Sequence, residues 1–230
     1  TNHSFPFMVD FIKENHYENF VDLVQYDVPI TAQILNRYKN FNERVSRNLK
    51  IKTVEFTSTK SVKPYVKPVF DLINKTYTEI YGFTKLTEDE MTEFAERFLP
   101  LLNPKLIKMI TDENGELLAF IIAMADLSEA IKNSRGRILP FGWARILWAM
   151  KTSKRLQLLL GAIHPNYQNK GLDAVLATML FGSALKLGFK TVDSHLIMKD
   201  NLKMRGEIEK LEGFNLYKEY CIFRKNLVVG

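Results

Sequence analysis

Leu158-Leu159-Leu160-Gly161-Ala162-Ile163-His164-Pro165-Asn166-Tyr167-Gln168-Asn169-Lys170-Gly171-Leu172-Asp173-Ala174 carries a strand through a tight polar turn straight into a helix. The apolar run before His164 reads as a strand covered on both faces, in the middle of a sheet. Pro165 has no N–H to give to a ladder, so the strand must lose its neighbour there and leave a gap at the sheet edge. Residues 168–174 then present successive backbone amides at a helix start, a ready anion site. Gly171 lets the backbone approach a phosphate closely. The stretch is not a Walker loop, for it lacks Gly-x-x-x-x-Gly-Lys-Ser/Thr. Nor is it a dinucleotide fingerprint, since one glycine stands where three are needed.

Outward from this stretch the chain alternates helices and strands. Residues 7–12 read as a short helix and 20–28 as a strand stopped by Pro29. Residues 31–47 form a polar amphipathic helix with Ile34, Leu35, Tyr38 and Phe41 on one side, and 48–57 alternate through Ile51, Val54 and Phe56. Between residues 61 and 81, Val62, Tyr65, Val66, Val69, Phe70, Ile73 and Tyr77 recur at helical spacing, with Pro68 to delay or kink the helix. Thr87-Glu88-Asp89-Glu90 is a capping-box pattern opening a helix to about residue 99. Two β-rich runs, 106–111 and 117–125, flank Asp112-Glu113-Asn114-Gly115, where Asn-Gly predicts a hairpin with positive φ at both central residues. Short helices at 128–133 and 141–151, a strand at 155–163, a helix at 171–187 closed by Gly188, a strand at 191–198, a helix at 200–211 and a strand at 216–224 complete the order. From residue 50 onward this is a mixed sheet with helices, an α/β or α+β three-layer domain.

Composition narrows the function. The 230 residues are 46% hydrophobic and 25% charged, which suits one globular domain or a little more and argues against disorder. No apolar stretch approaches the roughly 18 residues a membrane span needs. One cysteine, Cys221, cannot form an internal disulfide or a cysteine-based cluster, which favours a reducing, cytoplasmic setting. Histidines 3, 16, 164 and 195 show no metal-ligand spacing, so no metal is expected. The chain opens Thr1-Asn2-His3, with no basic segment and apolar core of a signal peptide. Formal charge is +6, from 32 bases and 26 acids. Residues 130–172 hold eight of those bases and no acid, leaving the rest of the chain net negative. Such a region attracts a polyanion: nucleic acid, an anionic membrane or a phosphorylated cofactor.

Ile163-x-Pro165-x-x-Gln168-x-x-Gly171 resembles the acyl-CoA-binding motif of the GNAT N-acetyltransferase superfamily, whose core is Arg/Gln-x-x-Gly-x-Gly/Ala. A second signature of that family, an Asn opening a helix that ends in Lys-Leu-Gly-Phe, is similar to Asn201 through Lys210, Leu211, Gly213 and Phe214, interrupted by Glu212. The resemblance covers residues 50–227. It implies the GNAT fold, a mixed and mostly antiparallel central sheet flanked by helices, with strands four and five splayed to admit the pantetheine arm. Residues 50–230 would be the GNAT-like acyltransferase domain and 31–49 a helical linker. Residues 1–30 look like the closing helix and strand of a preceding GNAT-like repeat. At a constant offset Lys13 falls on Lys210, Tyr17 on Phe214, Phe20 on Tyr217 and Tyr26 on Phe223. On this reading the chain is the carboxy-terminal part of a tandem bacterial protein.

The resemblance also implies roles. Backbone groups of Ala162 and Ile163 would bond the pantetheine, and an amide there would stabilise the oxyanion formed as an amine attacks the thioester. The loop of Gln168, Asn169, Lys170, Gly171, Leu172, Asp173 and Ala174 would hold the pyrophosphate of acetyl-CoA or another acyl-CoA. Asn201 would touch the arm near the splay, and it equally reads as a helix N-cap. His195, on strand five, is the candidate general base for a protonated amine, against the plainer reading of a packed or solvent-facing histidine. The basic residues 132–170 would border the loop as an electrostatic funnel. Two positions depart from the pattern: Asp173 stands where the family has Gly or Ala, and Ile208 where many relatives carry the tyrosine that protonates the thiolate. The acceptor would be a small-molecule or peptide amine. Arg135 to Trp143 could line its pocket, or residues 138–155 could lie on a membrane surface. A CoA-binding or scaffolding module without chemistry is the alternative. Nucleic acid is disfavoured, since no helix-turn-helix, zinc finger or RNP-type strand accompanies the charge.

Overall fold

The structure, a computed structural model, describes residues 4–137 and 141–227. In chain order its elements are α1 (Phe7–Glu14), β1 (Glu18–Pro29), α2 (Ala32–Leu49), β2 (Lys52–Glu55), α3 (Thr59–Val62), α4 (Val66–Thr76), α5 (Glu88–Phe98), β3 (Ile107–Thr111) and β4 (Leu117–Ala125). They continue with α6 (Ser128–Asn133), α7 (Gly142–Thr152), β5 (Arg155–Ile163), α8 (Leu172–Lys186), β6 (Thr191–Asp193), β7 (Ile197–Met198), α9 (Leu202–Glu209) and β8 (Asn215–Arg224). This is the mixed α/β architecture expected. Two compact units divide the chain: Pro29–Asp193, and Thr1–Val28 together with Ser194–Gly230.

In the unit Pro29–Asp193 the strands run β2-β3-β4-β5-β6, antiparallel except for the parallel pair β5–β6. One face packs Phe56, Leu72, Ile73, Met109 and Phe120 with α4. The other packs Ile110, Ala119, Leu172 and Leu176 beneath α2 and α8. Three layers result, because β3 and β4 are apolar on both faces and each face must be covered. Residues 31–49, expected as a helical linker, are helical as α2 but pack along α8 and contribute buried Val45 to the core. Its start is fixed by Thr31, whose hydroxyl accepts from the Ile34 N–H. Lys108 is buried inside β3. Its Nζ donates to the Glu55 carboxylate and to Ser183 Oγ at 2.7 Å, which is how an ammonium survives there.

Two local expectations are revised. The hairpin between β3 and β4 forms, but only Gly115 has positive φ. The Asp112 carboxylate accepts from the N–H groups of Asn114 and Glu116, and this wider side-chain-braced turn replaces the two-residue one. The strand expected over 191–198 is broken into β6 and β7, with His195 between them at φ +60°.

In the terminal unit β1 lies between β7 and β8, antiparallel to both, with Leu23 opposite Met198 and Tyr220. Tyr26 is fully buried. Its hydroxyl donates to Glu209 Oε1 and accepts from Arg205 Nε at 3.0 Å. Burial pushes the Tyr26 phenol up, and the bond from Tyr26 holds the Glu209 carboxyl down.

Candidate active site

The turn after β5 is built by its own side chains. His164 opens a 3-10 turn, Pro165–Tyr167, with Nδ1 accepting from the Asn166 N–H, and its ring meets Tyr167 edge-on. On its other side His164 Nε2 lies 2.7 Å from Lys75 Nζ. Burial, then the Lys75 charge, lowers its pKa. His164 shapes the loop.

Beyond the turn, Asn169 has φ +60° and Gly171 +88°, and α8 starts at Leu172 with no side-chain cap. Left-handed residues flanking an ordinary one curl successive N–H groups toward a common point, an anion-binding concavity. Among the described residues the amides of Asn169, Lys170, Gly171, Leu172, Asp173 and Ala174 donate to no protein acceptor. Six unpartnered donors and the positive end of a fifteen-residue helix therefore converge. Gln168 contributes differently: its N–H closes the turn onto Pro165, and its Nε2 donates to the Ile163 carbonyl at 3.3 Å. The reason for Gly171 also differs from expectation. A Cβ there would stand 2.8 Å from Phe41 Cζ and 3.1 Å from Val45 Cγ2, so the missing side chain makes room for α2, not for a phosphate.

The strand edge supplies the second half of the site. β5 pairs with β6 only from Arg155 to Gln157, so beyond Gln157 its edge away from β4 is open among the described residues. The His164 N–H donates to Leu118, and antiparallel alternation then makes Ala162 the hydrogen-bonded partner of Phe120. Ala162 cannot offer its backbone to an arm in the gap, contrary to expectation; Gly161 and Ile163 face the gap instead. The Gly161 groups are both engaged by Tyr77, whose hydroxyl accepts from the Gly161 N–H at 3.2 Å and donates to its carbonyl at 2.9 Å. Tyr77 follows α4 directly, and its ring packs edge-on against Phe83. Burial pushes the phenol up, outweighing the opposite pull of its bond to Gly161, so it is protonated at neutral pH. Sequence reasoning had Tyr77 as one apolar position of a helix, and nothing in the linear sequence ties it to Gly161.

Other expectations are corrected. The basic residues 132–155 do not border the loop. They precede or open β5, whereas the loop follows it, and nine strand residues at about 3.3 Å each separate the two ends by roughly 25–30 Å. That exceeds two screening lengths at physiological salt, so of this run Lys170 alone stands at the cradle, with Lys75 of α4 beside His164 as a second base near it. Residues 135–137 and 141–143 lie in the segment between β4 and β5, and 138–140 lie outside the described residues. His195 and Asn201 belong to the terminal unit. His195 is exposed in the break after β6, not aimed by a strand. Asn201 caps α9, its Oδ1 accepting from the Met204 N–H. Among the described residues no His, Cys, Asp and Glu group could hold a metal, and no helix is long and apolar enough to cross a membrane.

Asp173 is exposed in the first turn of α8. Unit charges about 4 Å apart in water repel by about 1 kcal/mol. If the loop holds acyl-CoA as the resemblance implies, Asp173→Asn is expected to tighten CoA binding about fivefold by calorimetry; equal or weaker binding would mean the carboxylate points away from the ligand.

No family model matches the chain. Two curated proteins are similar at 24% identity: the bacterial ceramide synthase of Caulobacter vibrioides, over 70% of this chain and 43% of that protein, and YghO of Escherichia coli, over 98% and 58%. The chain spans about half the length of the curated relatives it matches. Among solved structures, a tandem GNAT protein from the clavulanic acid biosynthesis pathway aligns with TM-score 0.57 and 12% identity, over 96% of this chain and 59% of that one. The chain has the GNAT fold. Within the GNAT fold β5 and β6 take the places of the expected fourth and fifth strands, and their parting beyond Gln157 is the expected splay.

Proposed function

We propose that this protein is an acyl-CoA-dependent N-acyltransferase, moving an acetyl or longer acyl group to a primary amine by direct attack in a ternary complex. The observation that carries the reading is the row of six unpartnered amides at the start of α8, at the end of a strand whose edge is half open. Those amides and Lys170 fit a pyrophosphate, and the Ile163 N–H is the open donor for a pantetheine amide. The thioester, when bound, supplies an activated acyl group. The chain's own contribution is electrostatic: the Gly161 N–H and the Tyr77 O–H can both aim at one developing oxyanion, which a backbone amide and a protonated phenol do without titrating near neutral pH. His195 is given no role as base, since the strand that was to aim it ends at Asp193.

The relative named for ceramide synthesis supports an acyl acceptor that is a lipid amine, because a ceramide is an N-acylated long-chain amine. The exposed apolar side of α1, Phe7, Met8 and Phe11 with Phe5 stacked on Phe7, is the surface we assign to packing against a preceding GNAT-like half. The lone thiol, Cys221, supports a cytoplasmic setting. A second reading, a CoA-binding module without chemistry, is favoured by the Tyr77 hydroxyl already holding both Gly161 groups and by Ile208.

Titration with acetyl-CoA, CoA and duplex DNA at two salt concentrations, followed by a thiol-release assay with candidate amines, separates these readings. Saturable CoA binding with amine-dependent thiol release is expected. Binding without release would leave only the module. Preference for DNA with steep salt dependence would overturn both.

A further inference from the structure

We propose that the α6–α7 face docks on the surface of an anionic lipid bilayer. Two independent features of one surface lead there. The first is where α7 puts its large apolar side chains. Ile146, Ala149 and Met150 are half-buried on its inward side, and that is sufficient to pack α7 against α6 and β4. A helix serving only the core would leave polar residues outside. Here Trp143, Leu147 and Trp148, at helical spacing on the outward side, are 51%, 51% and 70% exposed, and Phe141 just before them is 71% exposed. Ile131 of α6 is exposed as well. Indole rings held in water are costly, whereas the interface between headgroups and acyl chains suits an apolar body with an N–H at its rim.

The second feature is charge. Lys132, Arg135, Arg137, Arg145 and Lys151 lie exposed on or between these two helices and Lys154 follows α7 directly, while α6 carries one exposed acid, Glu129, and no acid occurs from residue 130 to 172. Arg145 also donates to the Asn133 carbonyl at 2.7 Å, which ties α7 to α6 and keeps its charge at the surface. Arg155, by contrast, is bound to Asp193. Bases around outward aromatic residues make the pattern of an interfacial helix. Nucleic acid would use the bases and leave the tryptophans without a role, and a second copy would bring six further positive charges against this face. The proposal does not rest on acyl transfer.

The sequence offers a clean reporter, because Trp143 and Trp148 are the only tryptophans in the chain. Intrinsic fluorescence of the full chain should shift to the blue on vesicles of phosphatidylcholine mixed with phosphatidylglycerol, and little on phosphatidylcholine alone. Brominated acyl chains should quench it. Each base near an anionic surface contributes about 1 kcal/mol, or fivefold, so Lys151→Gln with Lys154→Gln should weaken vesicle binding about 25-fold. Acyl-CoA affinity and melting temperature should stay unchanged. The proposal fails if anionic vesicles cause no blue shift. It also fails if duplex DNA binds this face more tightly than vesicles do, or if the shift grows with protein concentration in the absence of lipid.

Discussion

Gly171→Ala is expected to lower the melting temperature by roughly 4–20 °C and, on the acyl-CoA reading proposed above, to weaken CoA binding more than tenfold. Two costs add. An L-residue held at φ +88° loses about 1–2 kcal/mol. The new methyl would also sit 2.8 Å from Phe41 Cζ, 2.9 Å from Phe41 Cε1 and 3.1 Å from Val45 Cγ2, and forcing a methyl into packed side chains costs about 1–3 kcal/mol. At about 2–4 °C per kcal/mol for a chain of this size the range follows. Relief by turning the loop away from α2 would disperse the amides that converge on the anion. The double variant Gly171→Ala with Phe41→Leu separates the two costs. It should recover part of the lost stability, because the ring is gone, but not the part set by φ. A melting temperature for Gly171→Ala within two degrees of the parent, read by differential scanning calorimetry, would refute this account of the glycine.

That glycine shows what a sequence can and cannot convey. The strand, turn and helix around it are local, and alternation, proline and the glycine itself announce them. The apolar side of α2 was equally readable through Ile34, Leu35, Tyr38 and Phe41. What it covers was not, because the contact between Phe41 and Gly171 joins distant parts of the chain. Parity is a subtler loss. Whether Ala162 or Gly161 faces the gap depends on which edge of β5 is paired, and only register against β4 decides it. Linear proximity misled outright for the basic residues. Residues 130–172 form one run of positive charge in sequence, yet β5 carries the chain from one end of the sheet to the other in the middle of that run. The break between β6 and β7 was hidden for a related reason. Residues 191–198 look like one strand, but the Ser194 Oγ accepts from the Tyr26 N–H and the His195 backbone turns left-handed, which ends the ladder.

Tyr77→Phe carries the largest expected effect on rate, resting on the acyltransferase reading. The Gly161 N–H is one donor and can serve one acceptor well. In the protein as described that acceptor is the Tyr77 oxygen; in a thioester complex it would be the carbonyl oxygen of the acyl group. The phenol then loses its hold on the N–H but keeps its own proton, since its raised pKa leaves it neutral. A small rotation turns that O–H from the Gly161 carbonyl to the same oxygen. Tyr77 thus changes from a competitor in the ground state to a donor as negative charge develops. Removing one such donor typically costs 100- to 1000-fold in kcat. Phenylalanine keeps the ring against Phe83 and frees the Gly161 N–H, so KM for the acyl-CoA should be unchanged or lower. Stability should fall by about 1–3 kcal/mol, the worth of the two hydrogen bonds lost at Gly161. A purely structural tyrosine would give another pattern, with KM rising and kcat little affected. A plug that merely blocks the gap would give a third, with kcat increased by its removal. Steady-state kinetics of the single variant therefore assigns the phenol, and a kcat within threefold of the parent would exclude it from the reaction.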